Sequence, residues 1–252
     1  MCIRDSLSAH VHSLFDRLIV PYSISFYILS NEILLLRRID GVAKEKSGSC
    51  KRPYALGRRL ELSDHKRTAI LAAARTQLAA KGYLQLTMDT LARESGVTRQ
   101  TIHNLFGTKA GVLEALFDQL ALDGGMERMR HVMQQTNTES MLAGFVEVFA
   151  DFWSRDRLLI RRIHGIAAID PEFGAAVEAR NQRRKMAAAR VVDQLSRRDG
   201  GRDPEDRTQR IATLYALTSF EFFDALAEAC GDVKDAANSV LVLVRKAFAS
   251  KP

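Results

Sequence analysis

The chain reads as an all-α protein, a small three-helix N-terminal unit followed by a larger helical domain. Three observations carry that reading. Apolar residues recur at helical spacing from Asp64 to the end. Glycine and proline are sparse, 15 and 5 in 252 residues, and mostly fall between periodic segments. Beyond Thr108 the alternating pattern of a strand is almost absent. Charged residues at 27% and hydrophobic residues at 46% describe a soluble globular mixture. They exclude a wholly disordered chain, a collagen-like fibre and a polytopic membrane protein. Cys2, Cys50 and Cys230 are an odd set without metal-ligand spacing, so the expectation is a reducing, cytoplasmic setting with no metal and no cofactor.

Residues 1–60 read differently from the rest and are taken as a disordered or non-native N-terminal extension. Leu18–Leu36 is apolar, but its charge-free part, Leu18 to Asn31, is 14 residues. That is short of the ~20 needed to cross a bilayer. Lys44–Arg59 is polar and basic, with Gly48 and Pro53 as breakers, and reads as a linker or arm. Upstream sequence translated from a wrong start, a membrane anchor and an accessory helix are the competing readings, the first preferred. The net charge of +7 suggests a polyanionic partner. Its distribution tempers the suggestion, because this segment holds 10 Lys/Arg against 5 Asp/Glu.

The first helix is expected from Ser63 or Asp64, as its cap, to Lys81, with Ile70, Ala74 and Leu78 as its apolar stripe and Gly82 as its stop. The second runs from Met88 to Ser95 behind Thr87, whose hydroxyl can accept first-turn N–H groups. Gly96 supplies the left-handed turn, Val97 plugs it, and Thr98 caps a third helix, Arg99–Phe106. Leu91, Ala92, Ser95, Gly96, Val97, Ile102 and Leu105 match helix-turn-helix spacing. Ala92 must be small where the third helix crosses, and Ile102 with Leu105 seals the pair.

Residues 66–113 resemble the N-terminal domain of the TetR/AcrR family of bacterial transcriptional regulators. The resemblance lies in the run Ile70 to Gly82, then Thr87, Leu91, Ala92, Gly96, Val97, Thr101, Ile102, Phe106, Lys109 and Leu113. It implies a helix-turn-helix DNA-binding domain over 61–110 and a helical effector-binding and dimerisation domain over 111–252. It further implies a homodimer formed by the last two helices, a palindromic double-stranded operator and a small-molecule effector that releases a repressor. The family usually places tyrosine where this chain has His103, although imidazole can also donate to a phosphate.

No acidic residue lies between Glu94 and Glu114, an interval that carries Arg99, His103 and Lys109. Duplex DNA, with one negative charge per ~1.7 Å, responds to such a local cationic face. With Ile102, Leu105 and Phe106 inward, Arg99, Gln100 and Asn104 are left for base edges, since Gln and Asn suit adenine and Arg suits guanine. Thr98 and Thr101 sit at the margin of that face, with Thr98 and His103 nearer phosphate. Thr87 and Thr108 open helices whose free N–H groups can hold phosphate oxygens, and Lys109 adds a charge there. Arg58, Arg59, Lys66 and Arg67 are weaker candidates for backbone or minor groove.

Further helices are expected over 138–154, 155–169, 172–198, 205–229 and 232–250. Leu214, Leu217, Phe220, Ala225 and Leu226 would face Val240, Leu243, Val244 and Phe248, within one chain or across a dimer. Phe149, Phe152, Trp153, His164 and Phe173 are the candidate effector lining, though aromatic residues at helical spacing equally make plain core. His164 is expected to bond backbone. Arg180, Arg183, Arg184 and Lys185 are expected on a solvated face, in preference to facing DNA or the inter-domain seam. P-loop, G-x-G-x-x-G, H-E-x-x-H and G-x-S-x-G signatures are missing, so no catalytic residue is expected and the chain is not read as an enzyme. The alternatives are an effector-independent DNA-binding regulator and a membrane-tethered helical adaptor.

Overall fold

The computed structural model describes residues 54–198 and 204–249, and every regular element among them is helical. The helices are α1 (Tyr54–Ala80), α2 (Met88–Ser95), α3 (Arg99–Phe106), α4 (Lys109–Asp123), α5 (Met129–Met133), α6 (Thr138–Arg155) and α7 (Arg157–Ala167). They continue with α8 (Pro171–Arg198), α9 (Pro204–Leu217), α10 (Phe220–Cys230) and α11 (Val233–Phe248). Leu18–Leu36 lies outside the described residues. Among those described, no helix is long and apolar enough to cross a membrane.

The helix-turn-helix follows from its local chemistry. Thr87 caps α2 by accepting from the Thr90 N–H at 3.1 Å, and the Thr90 hydroxyl accepts from the Thr87 N–H at 3.0 Å. Thr90 also donates to buried Gln77, which ties α2 to α1. Gly96 ends α2 at φ 68°, a conformation that a side chain would strain. Thr98 restarts the chain as α3, accepting from the Thr101 N–H at 3.1 Å. Leu91 and Ile102 are fully buried, whereas Leu105 and Phe106 are only half-buried.

Two boundaries differ from the sequence expectation. Ser63 and Asp64 do not cap α1 but sit within it, since the helix begins at Tyr54 and includes much of the stretch read as a linker. Between Tyr54 and Asp64 only Gly57 disfavours helix, and a helix can begin directly behind a proline. The expected helix over 205–229 is two helices. The Thr218 hydroxyl bonds back to the Leu214 carbonyl at 2.7 Å, and Ser219 caps α10 by accepting from the Phe222 N–H at 3.2 Å. Hydroxyl side chains thus make a break that neither glycine nor proline signals.

The core of the larger domain centres on α6. Phe145 is fully buried, and Trp153 stacks on Phe149 while its indole N–H donates to the Thr218 carbonyl at 3.1 Å. α4 joins this core to the N-terminal unit, packing on α1 and α3 as well as on α6, α7 and α8. The junction of α3 and α4 is tight: a Cβ on Gly111 would lie 2.0 Å from the Phe106 carbonyl oxygen. Gly111→Ala is therefore expected to force α3 and α4 apart and cost about 1–3 kcal/mol in urea unfolding. An unchanged unfolding midpoint would show that the junction is not close-packed.

Candidate nucleic-acid interface and ligand cavity

α3 presents Arg99, Gln100, His103 and Asn104 on its exposed face. Gln100 donates to the Asn104 carbonyl oxygen at 2.8 Å, so the two amides form one preset unit. Thr98 is exposed as well, and Thr101 is half-buried with its hydroxyl 2.9 Å from that of Thr98. Thr87 is exposed at the head of α2. Thr108 heads α4, where its hydroxyl accepts from the Gly111 N–H at 3.1 Å.

The acid-free interval of the sequence is not acid-free in space. Asp89, from α2, stands 3.5 Å from Arg99, with both side chains about 70% exposed. Such an exposed pair is worth ~1 kcal/mol or less and yields readily to a phosphate. Glu172, from the start of α8, takes a hydrogen bond from the Thr108 hydroxyl at 2.8 Å. Lys109 does not stand free: its ammonium lies 3.6 Å from the centre of the Tyr83 ring, and burial lowers its pKa. The Tyr83 phenol donates to Asp170, and burial, reinforced by that carboxylate, pushes it up to about 12. Asp170 in turn is held below the usual carboxylate range, chiefly by the Tyr83 hydrogen bond. Arg67 stacks over Phe106 at 4.8 Å, and Arg58 and Arg59 fall among residues whose side chains are not described.

A second site lies in the larger domain. A cavity of about 120 Å³ is walled by Phe117, Phe149, Phe152 and Trp153, with His164, Asp118 and a row of arginines from α8 at its polar side. Four of the five sequence candidates line it, namely Phe149, Phe152, Trp153 and His164. Phe173 does not, being fully buried in packing outside the cavity wall.

His164 bonds a side chain rather than backbone. Its Nδ1 lies 2.8 Å from Glu221 Oε1, while its Nε2 is buried without a partner. That hydrogen bond is the largest influence on Glu221 and outweighs burial, holding the carboxyl down at about 2.

Sequence reasoning missed the arginines. Arg180 and Arg184 are not on a solvated face: Arg184 is 8% exposed, and Arg180 reaches Asp118 at 2.7 Å. The signal was their register, for Val177, Arg180, Arg184, Ala188 and Val191 share one helical stripe, the buried one. Lys185 is exposed, as expected.

Comparison with known proteins places these sites in context. A family model described as bacterial regulatory proteins, tetR family, matches residues 70–116. The chain is 30% identical over 121 residues to the HTH-type transcriptional regulator AlkX of Mycobacterium tuberculosis, covering 47% of this chain and 54% of AlkX. The match thus spans about half of that relative's length. It is 26% identical over 167 residues to the HTH-type transcriptional regulator EthR of Mycolicibacterium smegmatis, covering 66% of this chain and 76% of EthR. A transcriptional regulator from Saccharomonospora viridis, solved with choline, shares the fold at a TM-score of 0.55 and 17% identity, covering 72% of this chain and 96% of its own.

The His164–Glu221 hydrogen bond beside the cavity gives a pH test. Glu221 titrates lower folded than its ordinary 4.5, so its stabilising effect is complete above that value and is lost as pH falls toward about 2. Urea midpoints at pH 5.5 and pH 3 should therefore converge more in Glu221→Gln than in the parent protein. Equal losses in both would remove the pair from the stability of the α7–α10 contact.

Proposed function

The chain belongs to the TetR/AcrR family of bacterial transcriptional regulators, and from that premise we propose that it is a homodimeric repressor released from a palindromic operator by a small-molecule effector. One observation carries the effector half of this reading. α4 begins with Thr108 and Lys109 beside α3 and ends with Phe117, Asp118 and Ala121 in the cavity wall. At 1.5 Å per residue, about 15 Å of continuous helix joins the two. A ligand that shifts the cavity end shifts the DNA end, and its differential affinity for the two positions sets the change in operator affinity.

The DNA-facing roles follow from exposure and chemistry. Arg99, Gln100 and Asn104 take base edges; Thr87, Thr98, Thr101, His103 and Thr108 take phosphates. Lys109 contributes its field from the Tyr83 ring. A lone helix-turn-helix touches few bases, so a two-fold dimer reading two half-sites is the functional unit. α10 and α11 suit that dimer. Leu214, Phe220, Val240, Val244 and Phe248 are consumed by the monomer's own core, whereas Val242 and Leu243 remain exposed at 48% and 38%. Large apolar side chains left outward on paired helices favour a partner. The regulators it resembles are not enzymes, in keeping with a purely binding role.

The test is selection of DNA sequences on the full chain, followed by titration of the selected duplex. An inverted repeat bound by a dimer is expected, with affinity falling steeply as salt rises. Gln100→Ala should relax base preference by about tenfold at one position per half-site. Lys109→Ala should weaken all sequences alike. Unaltered base preference in Gln100→Ala would remove direct readout from that residue, and operator affinity that responds to no ligand would favour the effector-independent regulator.

A further inference from the structure

We propose that the cavity bounded by α4, α6, α7 and α8 takes a small apolar carboxylate of aryl size, its body against Phe149, Phe152 and Trp153 and its carboxylate at Arg183 and Arg184; this rests on the reading of that cavity as the effector site. Size comes first. At about 120 Å³ the cavity is near the ~150 Å³ that accepts benzene and well below the ~300 Å³ at which drug-sized pockets begin. One ring with a compact head group fits that space, and a long chain does not.

Charge selects the head group. The wall holds three guanidinium groups, Arg180, Arg183 and Arg184, against one carboxylate, Asp118. Arg180 already occupies Asp118 through Nε at 3.2 Å and Nη2 at 2.7 Å. The two other carboxylates nearby are already engaged, Glu114 with Arg180 at 3.7 Å and Glu221 with His164 at 2.8 Å. Arg183 makes no hydrogen bond or ion pair among the described residues, and burial together with the neighbouring Arg180 charge lowers its pKa.

Arg184 spends Nη1 on the Tyr215 carbonyl and the Thr218 hydroxyl, leaving a buried Nε with no acceptor. A buried donor without a partner is a standing cost that an anionic oxygen relieves. His164 Nε2, also buried and unpartnered on this wall, offers a second polar contact. A cationic ligand would add a fourth positive charge, and a neutral one would give the buried Arg184 Nε no anionic acceptor.

The experiment is calorimetric titration of the full chain with benzoate, benzyl alcohol and benzylamine, three ring compounds differing in head-group charge. Benzoate is expected to bind at least about tenfold tighter than the other two. Arg183→Gln should weaken benzoate about tenfold and leave benzyl alcohol unchanged. Ala187→Leu, which fills the cavity from α8, should abolish benzoate binding. Benzyl alcohol or benzylamine binding as tightly as benzoate overturns the anion assignment while keeping the cavity as a ligand site. Benzoate binding that is indifferent to Arg183→Gln or survives Ala187→Leu also overturns the proposal. Binding of none of the three removes both the proposal and the effector reading of this cavity.

Discussion

Everything else in this molecule is arranged around α4, a helix that has no solvent face to spare. Ala110, Val112, Leu113, Ala115, Leu116, Phe117 and Leu120 are buried, and they cover most of its circumference. A helix apolar on nearly all sides must be wrapped, and α1, α3, α6, α7 and α8 all pack on it. Gly124, just beyond its last turn, is held close enough to Phe152 that a Cβ would lie 2.8 Å from that residue's Cα. Gly111 is as constrained at the other end. α4 is therefore held in close packing at both termini.

The contacts flanking that helix are of another kind. Thr108 to Glu172, Tyr83 to Asp170 and Arg75 to Asp156 all join the N-terminal unit to the larger domain through polar, mostly exposed groups, with Lys109 resting over Tyr83 beside them. Arg162 adds hydrogen bonds to the Leu78 and Ala79 carbonyls at the end of α1. Exposed pairs of this sort contribute little individually and are remade cheaply. The seam thus combines one rigid apolar element with a ring of replaceable polar contacts. Thr108 is a member of that ring and also a candidate phosphate contact. In the proposed reading, Glu172 and a DNA phosphate compete for the same turn of helix, which makes DNA affinity sensitive to the seam's geometry.

What was legible in the sequence is what is encoded locally. The helix-turn-helix needs a threonine cap, a left-handed glycine, one buried isoleucine and a second threonine cap, all within about twenty residues, and each is readable without knowing the rest of the fold. The cationic face was only half legible. A charge count along the chain sees Arg99, His103 and Lys109, but Asp89, Asp170 and Glu172 are brought alongside by folding. The same limit explains α8. Arginine is normally solvated, so composition places Arg180 and Arg184 outside, whereas the stripe they share with Val177 and Val191 places them inside. The break between α9 and α10 escaped because a hydroxyl bonding back to its own helix leaves no glycine or proline behind.

Burying guanidinium groups is expensive, and apolar residues of similar volume would serve packing at least as well. Their presence on the buried stripe of α8 therefore calls for something other than packing. Arg180 answers in part, because with Asp118 at 2.7 Å and Glu114 at 3.7 Å it is a charged crosslink from α8 to α4. In the proposed reading, an anion held by Arg183 and Arg184 would set a second negative charge beside the Arg180–Asp118 pair. Asp118 is buried, so a like charge nearby would make its present position less favourable and would favour a position of α4 where the charge is better compensated. Since α4 cannot bend without opening its apolar packing, the displacement reappears at Thr108 and Lys109, one residue short of three turns away. On this account the arginines that make the cavity selective for an anion are also what connects its occupancy to the DNA-facing end of the molecule.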